Sequence, residues 1–135
     1  MTFDETTNRV IACCFKVHKA LGSGFLEKVY ENALMIELEK CGLKAIQQYP
    51  ILVKYEDRPV GEYFADVFVD GRIVCELKAN EYLAKEHEVQ LVNYLTATGC
   101  DIGLLINFGR SVTVKRKFRE YHASIRREEN SEQLK

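Results

Sequence analysis

Apolar residues at Val10, Ile11, Cys14, Phe15, Val17, Ala20 and Leu21 recur at near-helical spacing until Gly22-Ser23-Gly24 breaks the run, which predicts a helix over 4–21. A second helical stretch spans 25–41 and stops at Gly42. Residues 49–55 read as a strand, and Pro50 near its start suits a sheet edge, where a missing N–H costs no ladder bond. Asp57-Arg58-Pro59 marks a turn. Two β-rich runs, 60–69 and 72–79, flank Asp70-Gly71, the strongest hairpin signal in the chain. A third helix is expected over 83–98, ended by Gly99, then a buried-type strand over 102–107. Phe108-Gly109-Arg110 turns into a last strand over 111–117, followed by a short helix over 118–127 and a polar tail over 128–135 expected to be disordered.

The order α-α-β-β-β-α-β-β-α has one strand–helix–strand unit of crossover length, so the fourth strand should run parallel to the third. Three meandering antiparallel strands and one parallel neighbour make an α/β fold with a mixed sheet flanked by helices. With 135 residues, one domain over 1–127 is expected, since domains take roughly 100–200 residues. Hydrophobic residues are 47% and charged residues 29% of the chain, which excludes a disordered polymer. No apolar run approaches the ~18 residues of a membrane span, and residues 1–9 do not resemble a secretory signal.

Cys13, Cys14, Cys41, Cys75 and Cys100 are odd in number and include no C-x-x-C pair, so neither a disulfide framework nor a zinc ribbon is suggested. The expected setting is therefore a reducing cytoplasm. The net charge of −1 hides an asymmetry: residues 1–109 carry 11 basic and 16 acidic side chains, whereas 110–127 carry seven basic ones against Glu120 alone. Such a block suits either a phosphate-binding stripe or a solvated face.

Acidic residues inside apolar strands need a partner or an ion. Asp66 lies in Phe64-Ala65-Asp66-Val67-Phe68 and Glu76 in Val74-Cys75-Glu76-Leu77-Lys78. Glu76 and Lys78 are two apart and share a sheet face. A two-residue Asp70-Gly71 turn puts Asp66 opposite Cys75, away from Glu76. A three-residue loop over 69–71 puts Asp66 opposite Val74, with Glu76 its diagonal neighbour on the same face. Both loops are chemically allowed.

Asp66 followed by Glu76-Leu77-Lys78 resembles the D…E-x-K signature of the PD-(D/E)xK nucleases, with Ala65 where the signature has proline. Gly24-Phe25-Leu26-Glu27-Lys28-Val29-Tyr30 is similar to the G-x-x-E-x-x-Y motif of a small bacterial group within them, the GxxExxY proteins. Gln90-Leu91-Val92-Asn93-Tyr94 resembles the Q-x-x-x-Y motif of RecB-like members. The resemblance covers roughly residues 8–118 and implies a restriction-endonuclease-like αβββαβ core. It implies a Mg²⁺ (or Mn²⁺) ion held by Asp66, Glu76, the Leu77 carbonyl and Glu27, with Glu27, Asp66, Glu76 and Lys78 as the catalytic set. Nucleic acid, DNA in the first instance, is the implied substrate, and the product keeps a 5′-phosphate.

The helices fit this reading. Glu27, Tyr30, Leu34 and Leu38 share one face of the second helix, although Glu27 as the third helical residue after a Gly24 cap would equally favour the helix dipole. Gln90 and Tyr94, with His87, share a face of the third helix and suit a role in orienting water and phosphate; Tyr30, Gln90 and Tyr94 are the residues expected to bind or orient substrate. Arg110, Lys115, Arg116, Lys117 and Arg119 would follow the nucleic-acid backbone. Gly22-Ser23-Gly24 lacks the strand and third glycine of a dinucleotide loop, and His87-Glu88 lacks the second histidine of a zinc protease. The sequence thus reads as a Mg²⁺-dependent nuclease. The alternative is a non-catalytic module on the same fold, binding nucleic acid or protein. A homodimer or a protein partner is compatible with either.

Overall fold

The computed structural model describes residues 1–119. Its elements are α1 (Phe3–Leu21), α2 (Glu27–Lys40), β1 (Ala45–Tyr55), β2 (Arg58–Val69), β3 (Ile73–Lys78), α3 (Lys85–Thr98), β4 (Ile102–Phe108) and β5 (Val112–Phe118). Of the helix expected over 118–127, Phe118 instead ends β5; from residue 120 onward that helix and the tail lie outside the described residues.

The strands form one five-stranded sheet in the order β1-β2-β3-β4-β5. β1, β2 and β3 form an antiparallel meander, α3 carries the chain to a parallel β4, and β5 returns antiparallel at the far edge. Pro50 does lie on an edge strand. The first hairpin turns at Glu56 and Asp57, whose φ angles of 50° and 62° are left-handed, and closes on Tyr55 opposite Arg58. The turn therefore precedes the expected Asp57-Arg58-Pro59, and Pro59 lies within β2. It is tolerated because that half of β2 pairs only with β1.

The second hairpin follows neither expected register. Val69 pairs with Ile73 and Val67 with Cys75, so the loop is Asp70-Gly71-Arg72. Asp70 and Gly71 take left-handed φ angles of 52° and 68°, and the Arg72 N–H closes the turn on Val69 O at 3.1 Å. Other contacts hold both flanks of the loop. Asp70 exchanges bonds with the Lys44 backbone (2.8 and 3.1 Å). The Arg72 guanidinium reaches Met1 O and Thr6 Oγ1 at the start of α1 and lies 4.6 Å over the Phe3 ring. Arg72 is thus drawn out of the ladder to dock a helix. The shift places Asp66 level with Glu76 rather than diagonal to it.

Alternate residues of the central strands feed two cores, as a sheet covered on both faces requires. Ile73, Cys75, Leu77, Leu104 and Ile106 meet Val10, Cys14, Val17, Tyr30, Leu34 and Leu38 of α1 and α2. Val74, Leu105 and Phe68 meet Leu91, Tyr94 and Leu95 of α3. All five cysteines are thiols, and Cys13 and Cys41 bring their sulfurs within 3.6 Å. No described helix is long and apolar enough to cross a membrane.

α3 approaches the sheet closely at Gly103, where an added Cβ would lie 2.8 Å from Leu91 Cδ1 and 3.0 Å from Val74 O. Because one of those contacts is backbone, Gly103→Ala should destabilise the fold by about 1–3 kcal/mol, the usual cost of overpacking. Urea unfolding checks this; a midpoint equal to wild type would show that the helix can shift freely.

Candidate active site

β2 and β3 pair only from Val67/Cys75 to Val69/Ile73; beyond that β2 continues with β1 alone, while β3 stays paired with β4. Asp66 and Glu76 sit where the two strands part. There the side chains complete the ladder: the Asp66 N–H donates to Glu76 Oε2 and the Leu77 N–H to Asp66 Oδ2, both at 2.8 Å. Each carboxylate thus satisfies a backbone donor left without a strand partner, one on either side of the gap. Asp66 and Glu76 meet at this gap through a register that the sequence reading did not include.

The electrostatic cost of this arrangement is visible in both acids. Burial pushes Glu76 up to about 8, aided by the charge of Asp66 and opposed by the bond from the Asp66 backbone and by Lys78. Asp66 is also raised, by burial first and then by Glu31 and Glu27, against the Leu77 backbone bond and Lys78. Two desolvated carboxylates with too little positive charge between them suit a cation. Their donor atoms are all oxygen, which matches a hard divalent ion such as Mg²⁺. Among the described residues no three His, Cys, Asp or Glu side chains close into a ready-made metal cage. Two carboxylates and a backbone carbonyl with retained water remain a suitable set for Mg²⁺.

The acid that the sequence reading missed is Glu31. It is 3% exposed on α2 and takes bonds from Lys28 Nζ (2.8 Å), Gln47 Nε2 (2.6 Å) and Gln48 Nε2 (3.1 and 3.2 Å). Gln48 also reaches Asp66 Oδ1 at 3.5 Å, which links Glu31 to the strand site. Its φ of 52° is a left-handed kink in β1 that re-aims the side chain. The signal for Glu31 was present at i+4 from Glu27 and i−3 from Leu34 on the apolar face.

Glu27 is exposed, and α2 begins after Leu26, so Glu27 is the first helical residue rather than the third after a Gly24 cap. Its charge still contributes to raising Asp66. Tyr30 has a different place from the substrate-facing one expected. It is fully buried, stacks on Phe108 at 4.6 Å, donates from Oη to Gly22 O at 2.6 Å and accepts from the Phe25 N–H. This tyrosine holds the α1–α2 loop, with its hydroxyl proton committed to the Gly22 carbonyl.

On the opposite helix, burial and then the charges of Glu76, Tyr63 and Asp66 push the Tyr94 phenol up to about 12, while the adjacent Gln90 amide lowers it. Tyr94 therefore keeps its proton near the carboxylates and can donate it in a hydrogen bond. His87 caps α3, its Nδ1 accepting the Ala84 N–H at 3.2 Å. Asn107, opposite Lys78 in the parallel register, exchanges two 2.9 Å bonds with the Asn80 backbone and fixes the segment after Lys78.

The basic residues do not form one stripe. Lys115 and Lys117 clasp Glu88 of α3 at 2.9 and 3.2 Å, and Lys115 foremost holds that carboxyl down at about 2. Arg116 turns to Asn8 of α1, and Arg119 pairs with Asp101. Arg110 is exposed beside the β4–β5 turn. Alternation along β5 sends these charges to both faces of the sheet.

A family model described as the PD-(D/E)XK nuclease superfamily matches residues 4–120. The crystal structure of SSO0001 superposes with a TM-score of 0.55 at 18% identity, over 80% of this chain and 59% of that one. At that identity the likeness is one of fold, and this chain spans less than two thirds of the other. Comparison with curated proteins finds no match.

Glu76 is protonated in the fold, yet ionised in the unfolded chain, between its ordinary 4.5 and about 8. Folding takes up a proton across that window, so stability should fall as pH rises through it, and Asp66 adds to the same trend. In chelator, urea titrations at pH 5 and 8.5 should show wild type losing more stability than Glu76→Gln, which keeps the Asp66 N–H acceptor without the charge. Equal pH dependence in the two proteins would contradict the strained pair.

Proposed function

Because the chain belongs to the PD-(D/E)XK nuclease superfamily, we propose that it is a divalent-metal-dependent nuclease whose centre is the Asp66–Glu76 pair with Lys78. The observation that carries this is the meeting of a buried carboxylate, Glu76, and a half-buried one, Asp66, at the parting of β2 and β3. Asp66, Glu76 and the Leu77 carbonyl would hold Mg²⁺ or Mn²⁺, with Glu27 at the margin of the site. When bound, such an ion neutralises a phosphodiester and makes a bound water more acidic.

The chain's own residues supply the rest. Lys78 shares the Glu76 face, where its ammonium would steer the attacking water and offset charge developing on the phosphate. Tyr94 would donate to a phosphate oxygen, with Gln90 orienting the phenol. Glu31, acting through Gln48, is a positioning residue for Asp66. The product would keep its 5′-phosphate. We place the protein in the GxxExxY group on Gly24, Glu27 and Tyr30, and in the cytoplasm on its unpaired thiols, with DNA as the first substrate to try.

One observation favours the alternative of a non-catalytic module, in its protein-binding form: much of the basic block is engaged in internal pairs. Incubating the protein with Mg²⁺ or Mn²⁺ and labelled single- and double-stranded DNA and RNA decides between them. Metal-dependent cleavage should fall about a hundredfold to a thousandfold or more in Asp66→Asn, Glu76→Gln and Lys78→Met. Glu31→Gln should weaken it less, and Tyr30→Phe should act through stability. Nucleic acid left uncut with either metal would support the module.

A further inference from the structure

Beside the carboxylates, α3 and the projecting half of the β1–β2 hairpin enclose a groove of about 1020 Å³. Its volume reaches the upper end of the roughly 300–1,000 Å³ range of small-ligand sites, enough for more than one nucleobase. Tyr63 forms part of the wall from β2 and is 47% exposed, with its ring centroid 5.6 Å from that of Tyr94. Tyr94 lines the groove, packs in one core cluster with Val74 of the strand that carries Glu76, and feels the charges of Glu76 and Asp66, so the groove lies toward the carboxylates. Leu52 and Val89 add exposed apolar surface from the hairpin and the helix. Lys54 and Lys85 stand one on each side, against Glu86 as the acid in the lining. Among the described residues neither lysine has an ion-pair partner.

Resting on the nuclease reading, we propose that this groove holds the unpaired bases flanking the scissile phosphate, so that the substrate is single-stranded nucleic acid or a single-stranded end. An exposed aromatic face in a concave apolar site, with cations at the rim, is the arrangement that binds single strands by stacking. A duplex presents its bases edge-on, their faces already stacked on one another, and cannot offer them to Tyr63. Tyr94, on the groove wall and within reach of the acids' charges, would bring a stacked base toward the phosphate that the carboxylates serve.

The test is fluorescence anisotropy of labelled dT12 in chelator at low salt, which needs no cleavage. Wild type should bind dT12 more tightly than a 12-base-pair blunt duplex. Tyr63→Ala should weaken dT12 binding by about fivefold to a hundredfold, the usual range for losing one base–aromatic stack, and Tyr63→Phe should restore it. A 12-mer abasic backbone should bind wild type about as weakly as dT12 binds Tyr63→Ala. Tyr63→Ala binding within twofold of wild type, or abasic backbone binding as tightly as dT12, overturns the proposal. A parallel Mg²⁺ assay separates the two readings. If cleavage is abolished by Glu76→Gln but dT12 binding ignores Tyr63, only the groove assignment fails. If wild type neither binds nor cuts, both fail.

Discussion

Where β2 leaves β3, two backbone N–H groups lose their strand partners, and the carboxylates of Asp66 and Glu76 take them over. This exchange ties a structural requirement to a chemical one. A buried donor cannot go unpaired, so the acids are fixed by the fold. Fixing them at the same gap puts two negative charges in a poorly solvated place, and their raised proton affinities are the result. The fold thereby builds a site that favours protons or a cation, and the surrounding elements follow from it. α2 supplies Glu31 and Gln48 supplies the link to Asp66, while α3 brings Tyr94 over the other side.

The close seat of α3 at Gly103 matters for the same reason, because it sets where Tyr94 and Gln90 stand relative to the carboxylates. The Asn107–Asn80 clamp fixes the chain just beyond Lys78, so the end of β3 is held from the β4 side after β2 has departed. Neither feature touches the acids. Both limit how far the two sides of the cleft can move.

Much of this was legible in the chain. Helical and alternating patterns placed all three described helices and all five strands, and a crossover-length unit after β3 dictated the parallel β4. The register was not legible, because Asp70-Gly71 allows several loops. The deciding contact, Arg72 docked on α1, joins residues about seventy positions apart. Glu31 was passed over because Glu27 stood in the more recognisable motif. Tyr30 sits in that motif too, but burial against Phe108 and the loop carbonyl gives it a packing role that residue type alone does not reveal. The partners of the basic block were not legible, because counting charges along a strand ignores that alternate ones face opposite sides, where Glu88 and Asn8 meet them.

The central claim is that Asp66 and Glu76 together make one cation site. Calorimetric titration of the metal-free protein with Mn²⁺ tests it most directly. Wild type should take up Mn²⁺ at this site, with protons released as the raised carboxylates ionise, and both Asp66→Ala and Glu76→Ala should lose that binding. Mn²⁺ binding unchanged in both variants, or the absence of binding by wild type, would contradict the account.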